Sequence, residues 1–554
     1  MRVVLDALFA VGLSAAYGAQ MLRWLRVLQR EHYEASAMAR FVGRWSSPQI
    51  AAVSKNKMRL EQFDRAPRTA HRDDFQGAPR YVRERGRAKP ERGVRRPVTV
   101  THVLFFGFIL ALSSKNEVAI VAVSVAYGLF APWGLSIKGR TGPLVWTRRA
   151  VTTAVVATVA SLALAFVGVL APRPWFAAAV VVWAVPVILD LTTRALKPYE
   201  NHHAKRFVDQ AVARLNQVKP RVVAITGSYG KTSTKNHLAQ LMGDDGIVVT
   251  PRSFNNRAGL SRAINENLAD GTRVFVAEMG TYGPGEIRSM CSWCVPEIAV
   301  VTAIGPVHLE RMKRLAVIEG AKYEITERAN VIVVNIDDLT LALWPARLEK
   351  TGKRVRTAGS TNAAASVRVI VDGANWVLNV DGDTIGMTAA IVGVQPTNLA
   401  CALAAALELG VASDELLRRV RRVVAIENRS NLVTAASGVE VIDDTFNANP
   451  ASAASALNVL KNLTLSGRRV VVTPGLVELG REQYAENLAL SRRIAFLGFE
   501  LVIVNRTNAV SLMLGFDGPV RRFNRRDEAV TWVRSALVAG DGVLYLNDLP
   551  DHYP

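Results

Sequence analysis

The stretch RVVAITGSYGKTST (residues 221–234) decides the fold of the larger part of this chain. Its first six residues, Arg221–Thr226, are a short apolar run rich in β-branched side chains, which predicts a buried strand. A glycine turn, Lys231-Thr232 and a predicted helix, Lys235–Met242, follow directly. This order is typical of a phosphate-binding loop, because glycines let backbone N–H groups approach phosphates and the helix N-terminus adds its positive dipole end. The sequence therefore predicts an α/β nucleotide-binding domain.

The loop supplies the predicted ligands of ATP. Lys231 would neutralise the β- and γ-phosphates, and the Thr232 hydroxyl would bind Mg²⁺. The loop departs from the general G-x-x-x-x-G-K-[ST] form, because Ile225 stands in the place of the first glycine. The predicted cofactor-binding residues of the loop are Gly227, Ser228, Tyr229, Gly230, Lys231, Thr232 and Ser233.

Seven further motifs follow the loop along the chain. They are PRSFNNRAGL (251–260), VFVAEMGTYGPGEI (274–287), PEIAVVTAIGPVHLERM (296–312), EGAKYEI (319–325), QPTNLACALAA (395–405), ENRSNLV (427–433) and DDTFNANP (443–450). Each motif alone is weak evidence, but together with the loop and in this order they are strong evidence. Over about Val222–Val543 they resemble the Mur ligase family of cell-wall synthesis. NNRAG and DDTFNANP are most similar to the branch that adds D-alanyl-D-alanine.

The resemblance implies an ATP-dependent amide ligase. In such enzymes a carboxylate attacks the γ-phosphate of ATP, an amine then attacks the acyl phosphate, and cations and positioning supply most of the catalysis. By resemblance, Thr232 and Glu278 hold one Mg²⁺, and His308 helps to hold a second together with a carbamylated Lys322. A carbamate turns the lysine into an acidic oxygen ligand, which suits a hard metal. Lys231, His308 and Lys322 are thus the predicted catalytic residues.

The resemblance also assigns residues outside the loop and the metal sites. Asn398 is expected at the adenine, Arg429 at the phosphates, and Asp444 at a ribose hydroxyl or in the interdomain geometry. The motif GLVELG offers Glu478 as a contact on the amine side. The predicted substrate-binding residues are Asn255, Asn256, Phe446, Asn447 and Asn449.

Several of these residues also have an ordinary structural interpretation. Glu278 could cap or salt-bridge at the end of its apolar strand, and Lys322 on a helix is ordinarily a solvated lysine. His308 and Arg429 could likewise be plain core or surface residues. The pair Cys291-Ser-Trp-Cys294 invites a metal or redox interpretation, but the sequence has no second pair to complete a zinc site. We therefore interpret this pair as structural.

The first 200 residues differ in composition from the rest of the chain. Five apolar stretches alternate with strongly basic connections, and most of them approach the roughly 20 residues that cross a bilayer as a helix. These stretches are Val3–Leu22, Val98–Leu112, Val118–Ile137, Ala150–Ala171 and Trp175–Leu196. The basic run Arg23, Arg26, Arg30 after the first stretch is typical of a stop-transfer flank and not of a signal peptide.

The charges of the loops set the predicted orientation. Residues 22–98, residues 138–149 and the segment after Lys197 are rich in Lys and Arg, whereas Ser113–Glu117 and Pro172–Pro174 are short and nearly neutral. By the positive-inside rule, five crossings place the N-terminus outside and the residues after Lys197 in the cytoplasm. The sequence therefore predicts a multi-pass protein of the inner membrane, with the lipid bilayer as a partner and cytoplasmic catalytic domains.

The formal net charge of +21 bears on the class of partner. About half of it lies in residues 22–98, beside apolar segments, which favours membrane topology over nucleic-acid binding. Gln76–Pro97 is rich in Arg, Gly and Pro, cannot bury a core and is expected to be disordered. It is either a topology determinant attracted to anionic lipid or a site for a pyrophosphate-linked lipid substrate. Few ionisable residues (Asp6, Asp190) interrupt the apolar stretches, which disfavours a transporter.

We predict three regions: a helical membrane region at 1–200, a central ATP-binding domain at 201–424 and a Rossmann-like C-terminal domain at 425–554. The C-terminal strands are predicted at Val439–Asp443, Arg469–Thr473, Leu501–Asn505 and Val543–Leu546, with helical stretches between them in a doubly wound pattern. Soluble members of the family begin with a small domain that grips the UDP end of a nucleotide sugar. Here that position holds apolar segments, so the acceptor is either lipid-linked or bound in another way.

Three functions remain open at this point. The leading one is a cell-wall peptide ligase that joins D-alanyl-D-alanine or a related amine to a UDP- or lipid-linked precursor. A polymer-forming ligase of the poly-γ-glutamate type also combines such a core with membrane anchoring. A nucleotide-binding membrane scaffold or flippase partner with a degenerate site is the third, and the intact Lys231, Thr232, Glu278 and His308 disfavour it.

Overall fold

The computed structural model describes most of the chain after residue 99 and part of the chain before it. The described residues are 2–30, 33, 38, 100–114, 116–132, 135, 144–169, 174–243, 246–251, 254–391, 393–424, 431–445 and 448–548. They fall into two compact units, one up to Pro198 and one from Tyr199 to Asp548. Most of the basic loop predicted at 22–98, including Gln76–Pro97, lies outside the described residues.

Up to Val218 the described residues form five helices, one at each predicted apolar stretch, and the last of them continues beyond Pro198. They are α1 (Arg2–Arg30), α2 (Val100–Ser114), α3 (Glu117–Phe130), α4 (Arg148–Val169) and α5 (Pro174–Val218). Three of them, α1, α4 and α5, are long and apolar enough to cross a membrane. Helices α2 and α3 have 15 and 14 residues, so each is about 22 Å long or slightly less at 1.5 Å per residue. Helix α3 ends before the predicted Ile137, and Pro132 follows close after its last residue.

The basic flank after the first apolar stretch is partly buried, unlike a free stop-transfer flank. The Arg23 Nε donates to the Leu135 carbonyl at 3.1 Å, its Nη1 donates to the Gly128 carbonyl at 2.6 Å, and its Nη2 donates to the Leu129 carbonyl. Gln20 donates to the Ala131 carbonyl at 2.6 Å. The last carbonyls of a helix lack partners within the helix and carry its negative dipole end. Arg23 and Gln20 therefore cap α3 from the side.

The outward faces of these helices are apolar. Val3 is 81% exposed, Leu110 is 70% exposed and Val167 is 66% exposed. Soluble proteins rarely leave such side chains together at the surface, so this unit has the surface composition expected of helices in contact with lipid.

The second unit begins with a nine-stranded sheet in the order β2-β3-β1-β4-β5-β6-β7-β8-β9. The pairs from β2 to β7 are parallel, and β7-β8-β9 is an antiparallel meander. The strands are β1 (Arg221–Thr226), β2 (Ile247–Val249), β3 (Val274–Glu278), β4 (Ile298–Val301), β5 (Val331–Asn335), β6 (Arg354–Gly359), β7 (Val367–Asp372), β8 (Asn375–Val380) and β9 (Asp383–Ala389). Strand β1 occupies the predicted residues and lies between β3 and β4. The carboxyl ends of the three central strands therefore meet at one edge, where open α/β sheets bind ligands.

Helices cover both faces of this sheet. They are α6 (Lys231–Met242), α7 (Arg257–Asn267), α8 (Glu286–Cys291), α9 (Leu309–Met312), α10 (Leu315–Tyr323), α11 (Trp344–Glu349), α12 (Pro396–Glu408) and α13 (Ser413–Val420), with 3₁₀ turns at Glu324–Thr326 and Leu341–Leu343. Helix α6 packs against the Ala-rich α12 in one core. Small side chains on α12 let it approach both α6 and the sheet.

The C-terminal part forms a six-stranded sheet in the order β10-β11-β15-β12-β13-β14, parallel except for β10. Its strands are β10 (Asn431–Thr434), β11 (Glu440–Asp444), β12 (Arg469–Thr473), β13 (Glu500–Val504), β14 (Val520–Phe523) and β15 (Gly542–Leu546). Its helices are α14 (Pro450–Asn462), α15 (Gln483–Phe496), α16 (Ala509–Leu514) and α17 (Arg526–Ala536), with a 3₁₀ turn at Gly480–Glu482. The four predicted strands are present, and β10 and β14 are additional strands at the two edges.

Candidate active site

The glycine loop between β1 and α6 is held in one shape by its neighbours. Gly230 has φ 79°, and a Cβ at this position would clash with the side-chain oxygen of Asn398. The Ser228 N–H donates to the Ala303 carbonyl at 2.7 Å, and the Gly305 N–H donates to the Ser228 hydroxyl at 2.9 Å. The segment after β4 therefore holds the loop through hydrogen bonds to Ser228. Glycine is required at position 230 because the backbone there is left-handed and because there is no room for a Cβ.

Lys231 lies across the loop that it follows. Its Nζ donates to the Gly227 carbonyl at 2.7 Å. The cation thus sits over the glycine turn, which is where the predicted function places the phosphates of a nucleotide.

Glu278 is the centre of a polar cluster near the loop. The Thr232 hydroxyl donates to its Oε2 at 3.0 Å, and the Asn255 amide donates to its Oε1 at 3.2 Å. The Lys235 Nζ lies 3.1 Å from the same Oε2. Sequence reasoning missed Lys235. The signal was its spacing, because residues four apart lie on one face of a helix and Lys235 follows Lys231 at that interval.

The cluster fits a magnesium ion. Mg²⁺ takes oxygen ligands and usually relies on one or two carboxylates together with substrate phosphates. Thr232 and Glu278 offer a hydroxyl and a carboxylate side by side at the N-terminus of α6. Among the residues that the structure describes, no three His, Cys, Asp or Glu side chains form a metal site by themselves. A magnesium ion at Thr232 and Glu278 would take further oxygen ligands from a nucleotide and from water.

Lys322 lies on α10 with its side chain 2% exposed. Burial holds the pKa of its amine well below the ordinary value, and the charge of Lys231 lowers this pKa further. A lowered pKa favours the uncharged form of the amine. An uncharged amine is also the form that reacts with carbon dioxide to give a carbamate.

His308 is in contact with the C-terminal sheet domain. Its Nδ1 lies 2.7 Å from the Glu478 Oε2, and its ring centroid lies 4.8 Å from that of Tyr282. Both His308 (φ 54°) and Glu478 (φ 63°) have left-handed backbones. His308 therefore contacts Glu478. Thr232 and Asn255 both contact Glu278, in a separate group of side chains.

The other predicted ligands have several different environments. The Asn256 side chain accepts the Gly259 N–H at 2.9 Å and caps α7, and the Asn449 side chain accepts the Ser452 N–H at 2.9 Å and caps α14. Asp444 is buried at the end of β11. The Asn398 side chain packs against Gly230 of the glycine loop. The predicted residues Arg429, Phe446 and Asn447 lie outside the described residues.

The cysteine pair has the environment of a core. Cys291 and Cys294 are buried among apolar side chains in one cluster. Burial raises the pKa of the Cys291 thiol to about 12 and raises that of Cys294 as well. Thiols with raised pKa values are poor nucleophiles and poor metal ligands, which favours the structural interpretation.

Comparison with known families gives two matches over this part of the chain. Residues 225–407 match the Mur ligase middle domain, and residues 428–546 match the glutamate ligase domain of Mur ligases. The chain belongs to the Mur ligase family. It is an ATP-dependent ligase that forms carbon–nitrogen bonds, as the resemblance of its motifs predicted.

Individual Mur ligases are similar to most of the second unit. A UDP-N-acetylmuramoyl-tripeptide–D-alanyl-D-alanine ligase of Mycobacterium leprae is 28% identical over 437 residues, which cover 69% of this chain and 83% of that protein. The enzyme of the same name from Escherichia coli is 29% identical over 314 residues, which cover 54% of this chain and 68% of that protein.

Solved structures show the same fold. MurF from Acinetobacter baumannii has a TM-score of 0.55 at 23% identity, covering 62% of this chain and 77% of that chain. MurF ligase from Thermotoga maritima in complex with ADP has a TM-score of 0.54 at 22% identity, covering 62% and 80%. These similarities confirm the Mur ligase fold of the central and C-terminal domains.

Proposed function

We propose that this Mur ligase joins D-alanyl-D-alanine, or a closely related amine, to the carboxylate of a peptidoglycan precursor at the cytoplasmic face of the membrane. The contact of Thr232 with Glu278 carries this proposal, because a hydroxyl and a carboxylate next to a glycine loop are groups that suit a metal–nucleotide complex. The names of the mycobacterial and E. coli relatives support the dipeptide as the amine.

The residues of the loop have distinct parts in this reaction. Lys231 exchanges the Gly227 carbonyl for phosphate oxygens and balances their charge during transfer to the acceptor carboxylate. Thr232 and Glu278 would hold Mg²⁺, and a bound Mg²⁺ would neutralise charge that develops on the transferring phosphoryl group. Ser228, Tyr229, Gly230 and Ser233 complete the loop, with Asn398 beneath it. Arg429 and Asp444 belong to the nucleotide site as well.

A second metal position involves His308 and a carbamylated Lys322. The burial and lowered pKa of Lys322 support carbamylation, since only the uncharged amine reacts with carbon dioxide. Incubation with isotope-labelled bicarbonate should give a carbamate NMR signal in the wild type and none in Lys322→Ala. A wild-type protein without that signal would remove Lys322 from the metal ligands. The substrate roles of Asn255, Asn256, Phe446, Asn447 and Asn449 stand as part of the same proposal.

The membrane placement rests on the first unit. Three helices reach the length of a bilayer span, and α2 and α3 form a shorter consecutive pair. If α2 and α3 do not cross the membrane, the chain crosses it three times. If both of them cross, the chain crosses it five times. Either number is odd, so the ligase lies on the opposite side of the membrane from the N-terminus, and the basic loops indicate that this side is the cytoplasm. The proposed domain limits are 1–200, 201–424 and 425–554.

The acceptor is tested directly with the full chain in detergent, supplied with Mg-ATP, D-alanyl-D-alanine and either UDP-linked or lipid-linked muramoyl-tripeptide. We expect phosphate release and a product heavier by one dipeptide with one of these acceptors. Lys231→Ala should abolish both, while Lys353→Ala, whose Nζ also donates to a backbone carbonyl (2.7 Å) but lies in the β6 region, should not. No turnover with either acceptor rejects the dipeptide assignment and favours a polymer-forming ligase or a scaffold.

A further inference from the structure

Lys235 is a buried cation that the proposed function leaves without a role. Its side chain is 1% exposed, on the face of α6 that also carries Lys231. Its Nζ donates to the Thr250 carbonyl at 2.8 Å and lies 3.1 Å from the Glu278 Oε2. The Glu278 side chain is 2% exposed, so both charges of this ion pair are withdrawn from water.

Stability does not explain why such a pair is present. Removing two charges from water costs several kcal/mol each, and a buried ion pair is often no more stabilising than apolar side chains of similar volume. Glu278 has a reason to be there, because its carboxylate stands beside Thr232 at the glycine loop. Lys235 therefore needs an explanation in terms of what it does to Glu278.

The geometry limits what Lys235 can do. The lysine and the Thr232 hydroxyl both approach Oε2, and the Asn255 amide approaches Oε1. The Thr250 hydroxyl accepts the Glu278 N–H at 3.1 Å, so the same residue holds the backbone of the glutamate and the ammonium of the lysine. Lys235 is too deeply buried to reach a substrate. It acts on the reaction only through the position and charge of the carboxylate.

We propose that Lys235 is the resident counter-ion of Glu278 and prevents the site from binding a divalent cation until a nucleotide arrives with it. This inference rests on the proposed metal role of Glu278. A metal ion without a nucleotide would be repelled by the positive charges of Lys231 and Lys235 and attracted by the Glu278 carboxylate. A metal–nucleotide complex carries net negative charge and is attracted by the same two lysines. Lys235 is thus a positioning residue that couples metal binding to nucleotide binding.

The test measures Mn²⁺ binding in the absence of nucleotide, by electron paramagnetic resonance, for the full chain in detergent. Lys235→Met keeps the length of the side chain and removes its charge. We expect it to bind Mn²⁺ at least about tenfold more tightly than the wild type, because one repulsive charge close to the site is gone. Lys235→Arg keeps the charge and should bind Mn²⁺ like the wild type. Lys353→Met, at the residue before β6 whose Nζ donates to the Glu327 and Ala329 carbonyls, should also leave binding unchanged.

A double variant separates the counter-ion role from a packing role. Lys235→Met/Glu278→Gln removes both charges, and it should fold but show none of the gain in Mn²⁺ affinity. If Lys235→Met does not fold alone, because it leaves Glu278 buried without its counter-ion, saturating Mn²⁺ should restore its circular dichroism spectrum.

Several outcomes overturn the inference. It is wrong if Lys235→Met binds Mn²⁺ no better than the wild type, if the double variant gains as much affinity, or if an unfolded Lys235→Met fails to respond to Mn²⁺. These measurements need neither acceptor nor amine. A protein that meets them and yet fails the ligase assay therefore loses the dipeptide assignment and keeps the counter-ion role of Lys235.

Discussion

At the scale of single residues, Gly230 carries two separate constraints. Its backbone is left-handed, and Asn398 leaves no room for a Cβ. Gly271 shares the first constraint, with φ 85°, but has open space around it. The pair therefore separates backbone strain from steric overlap at the loop.

We expect Gly271→Ala to lower the free energy of unfolding by about 1 kcal/mol through backbone strain alone and to leave ADP affinity unchanged. Gly230→Ala should cost more stability and should weaken ADP binding at least about tenfold, because Asn398 and the loop must move apart. Urea denaturation and calorimetric titration with ADP measure the two effects. Equal losses of ADP affinity in both variants would show that the contact with Asn398 is unimportant.

The sequence predicted contacts best where residues with suitable chemistry lie at the ends of neighbouring strands. Glu278 is the last residue of β3 and Thr232 follows the loop after β1, so the contact between these two residues at one sheet edge was predictable from the motifs. Asn256 and Asn449 were predicted as ligands, and the structure also gives them capping roles. Asn449 precedes Pro450, and an asparagine before a proline is a recognisable helix start.

The contacts that the sequence did not predict are between residues that are far apart in the chain and close in the fold. The ion pair of Lys235 with Glu278 joins a helix to a strand 43 residues later. The contact of His308 with Glu478 joins residues 170 apart. Neither pairing follows from the local pattern, since both depend on how the elements pack.

At the scale of elements, the contact between α9 and the turn before Gly480–Glu482 joins the central and C-terminal domains. His308 begins α9 as its left-handed N-cap, and Glu478 is left-handed as well. A non-glycine residue in this region is costlier than glycine by roughly 1–2 kcal/mol. The interdomain contact is therefore held against strain on both sides.

Two substitutions at Glu478 separate that strain from the hydrogen bond. Glu478→Ala and Glu478→Gly both remove the carboxylate, but only glycine relieves the backbone. We expect Glu478→Gly to be more stable than Glu478→Ala by about 1 kcal/mol in urea denaturation. Similar stability in the two variants would mean that the turn relaxes when the contact to His308 is lost.

The strands show why some elements were predicted and others were not. Strands β1, β3 and β4 are almost fully buried, so they appear in the sequence as continuous apolar runs. Strand β14 exposes Arg521 and Arg522 at the sheet edge, and the meander β7-β8-β9 is only half buried. Edges and half-buried strands carry a weaker apolar signal, which is why they were missed.

At the scale of the whole molecule, the apolar stretches of the first 200 residues predict how the chain is attached to the membrane. A protein attached to membranes only through its basic residues would be released by high salt, because salt screens such attraction. We expect the full chain to remain in the membrane fraction after washes with high salt and alkaline carbonate, and to enter solution with detergent. Release by salt alone would show that the apolar helices do not enter the bilayer.

Topology is measured with tags at the two ends of the chain. An odd number of crossings places the two tags on opposite sides of the membrane, and the basic loops place the C-terminal tag in the cytoplasm, so only the N-terminal tag should be labelled in intact cells. Labelling of both tags, or of neither, would indicate an even number of crossings and contradict the proposed orientation.

The exposed apolar faces of the first unit have one further consequence for a ligase. If the first unit lies in a bilayer as we propose, with Val3, Leu110 and Val167 facing lipid, the enzyme would meet a lipid-linked acceptor by diffusion within the plane of the membrane. Its rate then follows the number of acceptors per unit area of membrane, and dilution of the surrounding cytoplasm leaves that number unchanged. Only the amine and the nucleotide would reach the enzyme by diffusion through the cytoplasm.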